Sequence, residues 1–312
     1  MNMLTRTAGL CVALLALSAC ESADQETPED PDQQSAAEET APEEGVEPNE
    51  GSNQDEDPEG GAGDDAPSVP QLAEIEGHIW EVSTSQDSVS IRGEVSASVV
   101  GWDHLEPDEN SDQHADGAER VDITAAGHSE GEGSVYQVGD VFDYVIFGDD
   151  IYQSVDSVVA EYELSQPPEG TDVPPSEDVR QAFEAEGSWA NVGPVGRDYV
   201  ETPADLIANF EDELRAVADV GSLSEAGLTG ESSTVDGEHV WVYRSDQAEG
   251  FIELVVAAAE EEPLLRQISY DLDGEWADVD FRDWNEAEAP QEPAAEEVIE
   301  PDEVQDILET LG

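Results

Sequence analysis

The chain has 312 residues, with 79 Asp and Glu against nine basic residues, every one of them arginine, for a formal net charge of −70. Such a surface repels nucleic acid, whose binding depends on Lys and Arg neutralising phosphates, and it repels anionic headgroups for the same reason. The absence of lysine excludes a P-loop lysine, a Schiff base and a Ser-Lys dyad.

The first twenty residues read as an export signal. Arg6 precedes a short apolar run, Ala8 to Leu17, and small residues follow. The run falls short of the roughly twenty residues that a spanning helix needs. Leu17-Ser18-Ala19-Cys20 resembles the bacterial lipobox. This resemblance implies that residues 1–19 are removed, that Cys20 is lipidated, and that the protein is held by its acyl chains on the extracytoplasmic face of a cell membrane. Multiple acyl chains bury enough methylenes, at ~0.8 kcal/mol each, to hold it firmly. Cys11 lies in the signal, so Cys20 is the one sulfur-bearing cysteine of the mature chain and lipidation consumes it. No disulfide, zinc-thiolate site or cysteine nucleophile is then expected.

Residues 20–67 form an acidic linker rich in Glu, Asp, Pro, Gly, Ser and Gln, with no aromatic or basic residue. Too little apolar area is present to offset ordering entropy, so the linker is expected to be disordered, with a reach of ~40 Å. It reads as a spacer. Charge spread over both linker and folded part suits a salt-rich environment, where screening relieves self-repulsion.

Order is expected from Ser68. Leu72, Ile75, Ile79 and Val82 recur at helical spacing, with Ser68 and Gln71 as a capping box and Pro70 in the first turn. Val89, Ile91 and Val95 alternate with Ser90, Arg92 and Glu94, as in a half-buried strand, and Val121, Ile123 and Ala125 repeat the pattern. Tyr144 to Phe147 and Ile151 to Val155 flank Gly148-Asp149-Asp150 as a hairpin. A loop runs from there to about Pro175. A second helix starts at the N-cap Thr202, with Pro203 and Asp205 in its first turn and Leu206, Phe210, Leu214 and Val217 as its stripe. Four strands follow as a meander: Val240 and Val242; Ile252, Leu254 and Val256; Ile268, Tyr270 and Leu272; Val279 and Phe281. Asp236-Gly237 and Asp273-Gly274 mark turns. A helix over 302–312 buries Val304, Ile307, Leu308 and Leu311. The elements from 68 to 301 amount to one α+β domain.

Three stretches carry a wider resemblance: Gly148-Asp149-Asp150-Ile151-Tyr152, Pro263-Leu264-Leu265-Arg266, and Phe281-Arg282-Asp283-Trp284-Asn285 followed by Pro290 and Pro293. Together with the order of lipobox, acidic spacer, helix, strands, inserted helix and meander, they make residues 68–301 similar to the LolA/LppX-like lipoproteins of Gram-positive actinobacteria. The resemblance implies a curved antiparallel sheet, a half-barrel, with helices packed on its concave face and an apolar space between them. It implies carriage of a lipid or lipidated ligand, without cofactor or covalent chemistry. Ile91, Ile123, Ile252, Leu254, Ile268 and Tyr270 are the candidates for lining that space, although for each one taken singly plain core is the simpler reading. The polar loop from Asp103 to Arg120 could alter its mouth. The rival reading is an interaction module of the cell envelope carried on an acidic stalk.

Signatures of catalysis are missing: there is no Gly-x-Ser-x-Gly elbow and no His-Glu-x-x-His pair. The chain is expected not to be an enzyme. Asp108, Asn110, Asp112, His114, Asp116 and Glu119 copy the ligand spacing of a calcium loop, but Gln113 occupies the position that needs glycine. A solvated acidic loop is the simpler reading. His104, His114 and His128 have no specific zinc spacing.

Overall fold

The computed structural model describes residues 68–100, 120–165, 173–193, 196, 200–247, 250–272 and 274–311. Cys20, the linker and the calcium-like loop from Asp108 to Glu119 lie outside these residues. The described residues all belong to one compact unit.

Helix α1, Leu72–Thr84, is capped by a box three residues later than the sequence suggests: Gln71 is the N-cap and Glu74 reaches back to it. The side chain of Glu74, three residues on, decides this. Strands β1 (Ser88–Ser96), β2 (Arg120–His128), β3 (Glu132–Val138), β4 (Phe142–Phe147) and β5 (Asp150–Ser154) follow. The expected hairpin is present as β4 and β5, but Val155 starts a helix, α2 (Val155–Leu164), where a strand end was expected. The Ser154 hydroxyl accepts from the Ser157 backbone N–H at 3.2 Å, an N-cap that stops the strand. Helix α3 (Ser176–Glu184), β6 (Trp189–Asn191) and α4 (Pro203–Val217) come next. Thr202 and Asp205 form the expected capping box of α4. A 3-10 turn, Leu223–Ala226, precedes β7 (Thr229–Val235), β8 (Glu238–Gln247), β9 (Gly250–Ala257), β10 (Leu265–Leu272) and β11 (Glu275–Arg282). The chain ends with β12 (Val298–Ile299) and α5 (Pro301–Leu311).

All twelve strands form one open sheet in the order β12-β6-β5-β4-β3-β2-β1-β11-β10-β9-β8-β7. Every pairing is antiparallel except the short β12–β6 pair. The expected meander is β8 to β11, extended by β7. Strand β1 joins the two halves, pairing with β2 on one side and β11 on the other. Gly93 permits the close approach of β1 to β11, because a Cβ there would lie 2.2 Å from the carbonyl oxygen of Asp278. The fold is therefore α+β, an open, mostly antiparallel sheet carrying helices on one face.

Two apolar clusters hold it together. The larger gathers Leu72, Ile79 and Trp80 of α1 and Leu206, Ile207, Phe210 and Leu214 of α4 against the inner residues of β1–β5 and β8–β11. Phe210 meets Phe281 edge-on at 6.2 Å, and Trp284 stacks on Phe281 at 6.3 Å. The smaller joins α2, α3 and α5 through Val155, Val158, Val159, Val179, Phe183 and Val304 to Ala190 and Ile299. Of the expected buried side of α5, Val304 is buried, and Ile307, Leu308 and Leu311 are packed in part.

Candidate ligand site on the inner face of the sheet

Register places the six candidate lining residues on one face. Ile123, Ile268 and Leu254 fall in a single cross-strand row through Gly93 and Val279. Tyr270 and Ile252 fall in the next, and Ile91 pairs with Ala125 and Phe281 in a third. Side chains paired directly across an antiparallel ladder share a face, so the alternation read from sequence carries over to the sheet. All six are buried and belong to the larger cluster, beneath α1 and α4. The two best-formed clefts among the described residues are lined by none of them. One, mostly polar, has residues such as Ser154, Glu184, Gly187 and Glu297 around it; the other is of mixed lining, with Asp212, Arg215, Asp219 and Val220, and both are open.

Side chains tie α1 down firmly. Glu76 is buried and accepts from the backbone N–H groups of Leu223 (2.9 Å) and Ser224 (3.1 Å) and from the Ser222 hydroxyl (2.5 Å). Arg215 of α4 approaches the same carboxylate at 3.4 Å. Burial alone would raise the Glu76 pKa, but these hydrogen bonds outweigh it and hold the carboxyl below its ordinary value.

A polar row interrupts the apolar face between α2 and β3–β5. Tyr136, Tyr144 and Gln153 are cross-strand partners, one on each of β3, β4 and β5. Their exposures are 5%, 6% and 2%. The Gln153 amide nitrogen lies 3.4 Å from the Tyr144 hydroxyl and donates to Glu161 Oε2 of α2 at 2.9 Å. Glu161 is 5% exposed, and its other oxygen, Oε1, is buried without a hydrogen-bond partner. Burial pushes this carboxyl up to about 7, against the smaller lowering effect of Gln153. Burial likewise raises the Tyr136 and Tyr144 hydroxyls. On the same face, the Tyr270 hydroxyl and the Ser134 hydroxyl are also buried and unpartnered.

Helix α2 is held over this row from its N-terminus. The Ser157 hydroxyl accepts from the backbone N–H of Asp143 at 2.7 Å and donates to the carbonyl of Val141 at 2.8 Å. Sequence reasoning missed Glu161, Gln153, Tyr144 and Tyr136 as a group. No local signal marks Glu161, which shares its segment with Asp156, Ser157 and Glu163. Among the described residues no group of three or more His, Cys, Asp or Glu is arranged to hold a metal ion, and His128 is exposed. His104 and His114 lie outside the described residues. No described helix is long and apolar enough to cross a membrane.

No family model and no curated protein matches the chain. Solved structures do. The chain is similar to LprF from Mycobacterium bovis, at 13% identity and a TM-score of 0.37, over 74% of this chain and 100% of that one. It is similar to the lipoprotein LppX of Mycobacterium tuberculosis, at 14% identity and a TM-score of 0.31, over 71% and 97%. A LolA superfamily protein from Nitrosomonas europaea gives 10% identity and a TM-score of 0.23, over 72% and 96%. In architecture the chain is an open, mostly antiparallel sheet with helices on one face.

Proposed function

We propose that this protein is a lipoprotein, acylated on Cys20 after loss of residues 1–19, that binds or carries a hydrophobic ligand, a lipid, outside the cell. The ligand sits between the inner face of the sheet and the helices above it. The observation that carries this reading is the division of labour in the core. Strands β1–β5 and β8–β11 contribute a largely apolar face, joined by backbone hydrogen bonds, and α1 and α4 cover it mainly through side chains. An acyl chain that offers equivalent apolar area can take the place of a helix face, at roughly 25 cal/mol per Å² on either side of the exchange. Since α1 and α4 already fill the face, entry of the ligand requires them to shift.

The polar cleft at Glu184–Glu297 favours the second reading, an envelope interaction module on an acidic stalk. In both readings the anchor is the same, and it is tested first. Metabolic labelling with palmitate in the native host, followed by membrane fractionation, should place the label and the protein together in the membrane. Cys20→Ala should release the unlabelled protein into the medium. Membrane retention of that variant would rule the anchor out.

A further inference from the structure

We propose that Tyr136, Tyr144, Gln153 and Glu161 form the polar pole of the ligand site and receive a lipid headgroup bearing a free hydroxyl. This inference rests on the ligand-binding reading above and narrows it to a class of ligand. Its basis is an unmet hydrogen-bonding demand inside an apolar layer. Glu161 spends one oxygen on Gln153 and leaves Oε1 buried with no partner, and Ser134 leaves its hydroxyl unpartnered two residues before Tyr136 on the same strand face. A buried polar atom left unpaired costs about 1–3 kcal/mol, which a folded chain bears where a ligand later supplies the partner.

The chemistry of the row selects the partner. With its pKa near 7 the Glu161 carboxyl is a donor when protonated and an acceptor when ionised, and the tyrosine hydroxyls can do either. A headgroup hydroxyl matches both states, since it donates and accepts at one atom. A hydrocarbon end satisfies neither, and a fully esterified headgroup, which accepts but cannot donate, leaves the ionised state unmatched. The apolar residues beside the row, Val138, Phe142, Ile146 and Ile151, belong to the same cluster as the proposed acyl-binding face, so headgroup and chains would occupy one continuous surface.

The test uses the chain from residue 20 onwards with Cys20→Ser and two probes that share their acyl chains. These are 1,2-dioleoylglycerol, which has a free hydroxyl, and its 3-O-acetyl ester, which does not. Binding of each is measured by displacement of a fluorescent lipid. The free hydroxyl should improve affinity about tenfold, the equivalent of one well-placed hydrogen bond. Glu161→Gln and Gln153→Met should reduce that preference to about twofold or less. Equal binding of both probes by the wild-type chain would overturn the polar pole while leaving a lipid-binding face intact. No binding of either probe, with no uptake of the fluorescent lipid itself, would overturn both. If a variant fails to fold, the wild-type ratio alone decides.

Discussion

Glu161 is an acid held where its charge is disfavoured. Burial lifts its pKa from an ordinary 4.5 to about 7. Between those two pH values the folded chain keeps a proton that the unfolded chain would release. The stability associated with that proton is therefore fully present below pH 4.5 and lost as pH rises through 7. The loss is on the order of 3 kcal/mol. The expected outcome is that urea unfolding, measured from pH 4.5 to pH 8, weakens more for the wild type than for Glu161→Gln, by about that amount. Parallel curves would show that the carboxyl ionises freely. This residue could not be picked from sequence, because one glutamate among 79 acids carries no mark of burial. Ile91, Ile123, Ile252, Leu254, Ile268 and Tyr270 were legible as inward-facing, because strand alternation with period two survives into the sheet as a shared face. Whether that face holds cargo was not legible, since a filled core and a ligand surface use the same residues.

At the scale of elements, helix α4 carries four of the side chains that cover the inner face, and its N-terminal cap holds that cover in place. The Thr202 hydroxyl accepts from the Asp205 backbone N–H at 3.2 Å, and the Asp205 carboxylate accepts from the Thr202 backbone N–H at 3.0 Å. Thr202→Ala should lower the unfolding free energy by about 1–2 kcal/mol in chemical denaturation, and an unchanged midpoint would contradict the role of the cap. This helix was readable because its start signal is local. Helix α2 was not. Its Val155, Val158 and Val159 favour strands by local preference, and packing of those valines on Val179 and Phe183 of α3 and on Ala190 overrides it. Strand β7 escaped notice for the opposite reason. Thr229 to Val235 is almost wholly exposed at the sheet edge and has no apolar alternation to reveal it. Strands β6 and β12, with three and two residues, are too short to leave any periodic signal.

Over the whole molecule, the sheet is built from two runs of neighbouring strands, β2 to β6 and β7 to β11, that meet at β1. The chain after β11 returns along the outer face, where the Tyr152 hydroxyl donates to Glu292 at 2.9 Å, before β12 pairs with β6. This leaves the inner face to α1, α2, α4 and whatever joins them. Acidic charge lies on the other surfaces: register lines up Asp122, Glu94 and Asp278 across neighbouring strands on the outer side. Such a surface repels anionic headgroups, so a lipid would be taken up through the apolar face or not at all. The most direct measurement is mass spectrometry of organic extracts from the Cys20→Ser protein purified from its native host. Recovery of about one hydroxyl-bearing lipid per chain is expected. A protein that yields no lipid and takes up none when it is offered would contradict a ligand between sheet and helices.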